Sequence, residues 1–362
     1  MRQPLSMSGT IGDVALASKK WKYPINSNQD IAKIETKGKI NPYFLYAFLI
    51  SKYGQNYLRR EARGSVQQHV FLSQIEQFEI PLFSKSLVEL IQLTIEKSDD
   101  ILYLAEDLYN QAENFLLETI GLNNFDPSTD PVNVKSFKDS FLATGRLDAE
   151  YYQKKYEDFL RLICSYPNGY ESLKMSCNQK DYNFTPEDKT EYKYIELADI
   201  GKSGEIKDCT IALGVDLPTR ARRKINTNDV IVSSIEGSLD SCALVTEEYN
   251  NALCSTGFYV INSKKINSET LLVLFKSEPM QSILKQNCSG TILTAINKIE
   301  FQNLPVPIID KKIQLIIKEK VSESFILQKQ SEQLLETAKL AVEIAIEQNE
   351  EKAIEFIRNN NK

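Results

Sequence analysis

The densest group of side chains able to hold an anion is LPTRARRK, residues 217–224, which sets Arg220, Arg222, Arg223 and Lys224 within five positions. Guanidinium forks match phosphate oxygens and the O6/N7 edge of guanine. A solvated basic loop is the plain alternative for such a run. Its neighbour in sequence is DVIVSSIEGSLDS, residues 229–241, which offers Ser233, Ser234, Glu236, Gly237 and Ser238. Hydroxyls and backbone N–H groups there could bind phosphate, and a carboxylate could accept from cytosine N4. An ordinary hairpin turn fits the same residues. A second cluster lies in YLRREARGSVQQHVF, residues 57–71, with Arg59, Arg60, Arg63, Gln67 and Gln68. Glutamine can bond adenine N6/N7 bidentately. Ser289-Gly290-Thr291 adds a small-residue loop with a hydroxyl at Thr291.

Signals for catalysis are missing. His69 is the single histidine, and no nucleophile or carboxylate partner adjoins it in sequence. Asn41-Pro42-Tyr43-Phe44 has one proline where an adenine methyltransferase motif has two, and no glycine-rich cofactor loop precedes it. It reads better as a helix start, with Asn41 as cap and Pro42 at the first position. Ser8-Gly9-Thr10-Ile11-Gly12 is too short for a phosphate-binding P-loop. The six cysteines all follow residue 163 and form no CxxC pair, so neither a zinc site nor a disulfide framework is expected, only reduced and mostly buried thiols.

Taken alone, the net charge of −6 argues against a polyanionic partner. The acidity is concentrated, however. Residues 85–120 hold two Lys/Arg against eight Asp/Glu, and residues 313–362 hold seven against nine. The remainder is mildly basic, and local patches decide whether phosphates are attracted. With 362 residues the chain suits two domains plus connectors. No apolar run approaches a membrane span, and the opening residues lack the apolar block of a signal peptide, so a cytoplasmic protein without membrane contact is expected.

These clusters must be positioned by elements, and the elements repeat. INPYFLYAFLISK (40–52) resembles INSETLLVLFKSE (266–278) at an offset of 226, and Gly64-Ser65-Val66 matches Gly290-Thr291-Ile292 at the same offset. IEQFEIPL (75–82) matches IEFQNLPV (299–306), and Gly9 with Ala15 matches Gly237 with Ala243. Each copy ends in a long helical pattern. Leu87, Ile91, Thr94, Ser98, Ile101 and Ala105 step by four and three, as do Ile313, Ile317, Lys320, Ser324, Leu327 and Ser331. That step is the spacing of helices packed side by side. The chain therefore divides into a first globular copy (1–84), a helix (85–121), a linker (122–148), a second globular copy (149–310) and a second helix (311–362). Short β-branched runs such as DVIVSSI and GFYVINS predict an α+β globular domain. In the second copy Arg146 of GRLDAEYY stands long before Gly237, whereas only the opening eight positions precede Gly9, so the first copy is expected to be partial.

This order of motifs resembles the specificity subunits of type I restriction–modification systems. The residues that carry it are SGTIGDVALAS, GSVQQHVFLSQIEQFEIPL, GRLDAEYYQKKY, RARRKINTNDVIVSSIEGS and SGTILTAINKIEFQNLPVPI. The resemblance implies tandem target recognition domains, the first one partial, each followed by a long helix. The two helices would pair as an antiparallel coiled coil and fix the spacer of a split DNA site. It implies double-stranded DNA, two modification subunits that bind S-adenosylmethionine, and ATP-dependent restriction subunits as partners. This chain itself would need no cofactor and no metal and would catalyse nothing. The alternative is an assembly subunit that binds the modification subunits through its helices without a complete two-part DNA specificity.

Overall fold

The computed structural model describes residues 2–6, 11–18, 20, 24–63, 69–290 and 294–361. The first part of the chain holds strands β1 (Arg2–Ser6) and β2 (Ile31–Glu35), helices α1 (Pro42–Ile50) and α2 (Lys52–Glu61), and the long helix α3 (Lys85–Thr119). Next come α4 (Lys154–Cys164), β3 (Tyr170–Ser172), β4 (Asn178–Lys180), β5 (Glu191–Ile195), β6 (Thr210–Leu213) and β7 (Ala221–Lys224). They are followed by β8 (Val230–Ser233), β9 (Cys242–Leu244), β10 (Leu253–Ser255), β11 (Phe258–Asn262), α5 (Ser268–Lys276) and α6 (Glu278–Gln286). The chain closes with β12 (Cys288–Ser289), β13 (Ala295–Ile296), α7 (Lys298–Asn303), β14 (Pro305–Pro307), the long helix α8 (Lys311–Glu347) and α9 (Glu350–Asn360).

The repeat read from the sequence is a repeat of elements. Helices α1 and α5 start at Pro42 and Ser268, α2 and α6 at Lys52 and Glu278, and α3 and α8 at Lys85 and Lys311, all at the one offset seen in the sequence. Their caps correspond as well. The Asn41 side chain accepts from the N–H groups of Tyr43 and Phe44, and that of Asn267 accepts from Thr270. Ser51 closes α1 and opens α2, with its hydroxyl donating to the Phe48 carbonyl at 2.6 Å. Ser277 does the same between α5 and α6, donating to Leu274 at 2.7 Å. Each asparagine cap contributes about 1 kcal/mol.

Two compact units result, and each takes part of both long helices. One comprises residues 1–105 and 326–362, the other residues 106–325. In the first, Tyr43, Phe44 and Phe48 of α1 pack on Leu87, Ile91 and Ile95 of α3 and on Ala338, Ala341 and Val342 of α8. In the second, Leu271, Leu274 and Phe275 of α5 pack with Ile317 and Val321 of α8 and with Ala112 and Leu116 of α3. Ile317 and Val321 are the repeat equivalents of Ile91 and Ile95, and Ala338 and Val342 are those of Ala112 and Leu116. Each unit thus uses the same two sets of positions, drawn from opposite helices. The long helices are antiparallel. Ser98 pairs with Ser331, and Gln111 bonds Lys320, so numbering rises on α3 as it falls on α8.

The second unit is layered. Its helices cover the antiparallel sheet β4-β11-β8-β9, whose other face packs on the sheet β6-β5-β10-β7. The alternation of side chains along strand β8 makes this possible. Val230 and Val232 point to the helices, and Ile231 points to the second sheet with Cys254, Phe258 and Val260. Burying one such aliphatic side chain contributes about 1.5–3 kcal/mol.

The structure sets three boundaries that the sequence pattern leaves open or places elsewhere. The second long helix does not run from 311 to 362. It stops at Glu347, and α9 begins after Asn349, whose side chain caps it by accepting from the Lys352 N–H. Residues 267–287 are two helices, because Ser277 ends α5 in extended backbone and Pro279 sits in the first turn of α6. Residues 221–224 form a strand, not a loop, because β7 pairs antiparallel with β10. Among the described residues no helix is long and apolar enough to cross a membrane.

Candidate nucleic-acid interface

Strand β7 splits the basic run. Successive side chains on a strand face opposite ways. Ala221 and Arg223 face inward, and Arg223 meets Asp181 at 3.5 Å with its side chain only 16% exposed. Its Nη1 is buried without a protein partner. The segment 181–185 lies along the same strand. The Phe184 N–H donates to the Arg222 carbonyl at 2.7 Å, and the Lys224 ammonium sits 5.4 Å over the Phe184 ring. Arg222 donates to the Thr219 carbonyl at 3.0 Å and reaches Thr185 at 3.5 Å. Arg220, just ahead of the strand, keeps 59% of its side chain exposed. It bonds Glu196 at 2.8 Å, and that bond pushes the guanidinium pKa further up. The four cations therefore do not form one patch. Arg220 and Arg222 retain donors toward solvent, whereas Arg223 is turned to protein and Lys224 lies on a ring.

The turn after β8 is likewise divided by burial. Ser233 is fully buried, and its hydroxyl accepts from the Ile235 N–H at 3.1 Å and meets the Ser238 hydroxyl at 3.2 Å. The Ser234 hydroxyl donates to the Gly257 carbonyl at 2.9 Å. These two serines spend their hydroxyls on holding the turn. Glu236, Gly237 and Ser238 form the turn itself, with Gly237 exposed. A Cβ on Gly237 would meet nothing within 4 Å, so this glycine leaves open space above it.

Backbone hydrogen bonds gather the solvent-facing members at one end of the two sheets. Thr256 N–H donates to the Arg220 carbonyl at 2.9 Å, and Ser234 N–H donates to Gly257 at 2.8 Å. Glu236 N–H donates to Thr294, and Ile296 N–H donates to Ser234, so the hairpin β12–β13 is stitched to the turn. Thr291 lies outside the described residues. Glu196, Asp181 and the 255–257 turn belong to this group without any mark of it in their sequence. They come from elements distant in the chain, and only strand pairing brings them together.

The first-copy cluster ends α2 in the other unit. Arg59 and Arg60 are exposed in its last turn, where cations complement the helix dipole. Arg60 lies 4.8 Å over the Tyr57 ring and pairs with Glu61 at 3.1 Å. Arg63 is exposed and exchanges two backbone hydrogen bonds with His69. Gln67 and Gln68 lie outside the described residues.

Among the described residues no group of three or more His, Cys, Asp or Glu is placed to hold a metal ion. All six cysteines are free; three are buried and three half-buried. Burial pushes the Cys242 thiol up to about 12, which keeps it protonated and unreactive.

Residues 4–113 match the family model described as the type I restriction modification DNA specificity domain. That match covers less than a third of the chain. The matched span runs from β1 into the second half of α3. Three solved chains are similar. One comes from a structure describing complex assembly and conformational transition of the type I R-M system, at 25% identity and TM-score 0.38 over 48% of this chain and 47% of that one. The HsdS subunit from Thermoanaerobacter tengcongensis is 24% identical with TM-score 0.37, over 49% of each chain. The type I S subunit from M. genitalium is 13% identical with TM-score 0.41, over 98% of this chain and 82% of that one. The chain spans about half the length of the first two, and overlays this loose add nothing to the family match. No curated protein matches the chain.

Proposed function

We propose that this protein is the DNA-recognition subunit of a type I restriction–modification complex, non-catalytic itself, and that it directs adenine methylation and cleavage by modification and restriction subunits. One observation carries the reading: an element set repeated at a single offset, each copy packed on the same two position sets of an antiparallel helix pair, in a chain whose residues 4–113 match the specificity domain. Repeated readers joined by a helical pair suit a split site, because protein geometry then sets the spacing of half-sites. In the second unit the contacts fall to Arg220 and Arg222 and to the open turn Glu236-Gly237-Ser238. Arginine supplies phosphate and guanine contacts, and the turn brings a carboxylate and backbone N–H groups.

A mobility shift with the modification subunits present tests this. Arg220→Ala with Arg222→Ala should weaken binding to a duplex by at least about thirtyfold, given about 1–3 kcal/mol for each of two good contacts. Assembly with the modification subunits should be unchanged by size-exclusion chromatography. Unaltered affinity would remove these arginines from the interface. Assembly without any sequence preference in the wild-type complex would favour a purely structural subunit.

A further inference from the structure

The motif GRLDAEYY, residues 145–152, takes no part in the interface described above, yet its arginine reaches the base of that interface. Arg146 holds both oxygens of Asp148, through Nε at 2.8 Å and Nη2 at 2.5 Å. The same Nη2 donates to the Cys288 carbonyl at 3.0 Å, and Nη1 reaches the Gln286 carbonyl at 3.5 Å. The guanidinium carbon lies 4.4 Å from the centre of the Tyr151 ring. Gln286 returns a bond, its side-chain amide donating to the Tyr151 carbonyl at 3.0 Å. Those two carbonyls belong to the end of α6 and the start of β12. From there the hairpin leads to Ala295, which bridges Ile235, and to Ile296, whose N–H is held by Ser234.

We propose that Arg146 is the positioning residue of the recognition turn: it clasps the root of the β12–β13 hairpin and so fixes where Glu236-Gly237-Ser238 is presented. The DNA consequence rests on the functional reading above, whereas the clasp does not. A guanidinium suits the task because it satisfies a carboxylate and two carbonyls in one plane while its face stacks on an aromatic ring. Lysine has three donors and no plane, so it can keep part of this set. Asp148 orients the fork, since without it the two carbonyls would compete for a swinging side chain.

Hydrogen exchange of the full chain tests the clasp, and selection from a pool of randomised duplex DNA tests its consequence. In Arg146→Ala the amides of Glu236 and Ile296 should exchange about tenfold faster while those of the β5–β10 pair stay protected. Arg146→Lys should recover part of that protection, and Asp148→Asn, which keeps the arginine, should lose less than Arg146→Ala. The DNA pool should show base enrichment reduced about tenfold in Arg146→Ala, with affinity for bulk duplex within about twofold of wild type. Unchanged exchange at Glu236 and Ile296, or loss of protection throughout the second unit, would overturn the clasp. Retained enrichment would overturn its role in recognition. A wild-type chain that enriches no sequence would instead remove the functional reading, and hydrogen exchange would still decide the clasp.

Discussion

At the scale of single residues, burial separates candidates that composition groups together. Four cations in LPTRARRK look equivalent as text. On a strand they alternate, and Asp181 and Phe184 take up Arg223 and Lys224. Serines in SSIEGS look like phosphate ligands, yet Ser233 and Ser234 spend their hydroxyls inside the fold. The residues were legible and their directions were not, because direction depends on pairing with β10 and β11, strands that come much later in the chain. Arg146 was legible only as part of a motif. Its partner Asp148 gives a pH test. The hydrogen bond from Arg146, with backbone N–H groups adding to it, holds the Asp148 carboxyl below its ordinary range. The folded pKa lies under the unfolded one. The resulting stability is therefore present above about pH 4 and is lost as pH falls through the folded value. The melting-temperature gap between wild type and Asp148→Asn should be open near about pH 7 and close toward about pH 2. A gap independent of pH would contradict the pairing.

At the scale of elements, the long helices were the most legible features. Their apolar stripe steps by four and three, and such a stripe must be buried along its whole length. The starts of α1 and α5 were legible too, because an asparagine cap acts through local geometry. Other boundaries were harder. The break at Asn349 carries a cap signal, with Glu350 and Glu351 in the following turn, but a continuous polar and apolar rhythm hides it. Strand β7, sequence ARRK, has no strand propensity to read; its edge pairing creates it. Where the long helices approach in the first unit, Ser98 and Ser331 exchange hydroxyl-to-carbonyl bonds of 2.9 Å in both directions, and both are buried. So small a pair lets two backbones come close, and its bonds favour one register. Ser98→Ala should cost about 1 kcal/mol for the lost bond. Ser98→Val, which fills the narrow gap, should cost about 1–3 kcal/mol more from overpacking. Urea unfolding of the full chain measures both. Equal stability of the two variants would mean that the helices are not tightly apposed there.

At the scale of the whole molecule, the duplication is what makes a functional reading possible. A net charge of −6 does not suggest a DNA partner, and no single motif is decisive. The order of motifs, their common offset and the family match over 4–113 agree with one another, and the exchange of equivalent positions between the two helices follows from that offset. Phosphate contacts also predict that binding weakens as salt rises, with a log–log slope of about −0.9 per neutralised phosphate. The most direct measurement is selection from a randomised duplex pool by the assembled complex of this chain with modification subunits, followed by sequencing at two salt concentrations. Two short conserved blocks at a fixed separation, unchanged between the salts while total binding falls, are expected. Robust assembly with no enriched sequence at either salt would contradict the claim that this chain reads DNA.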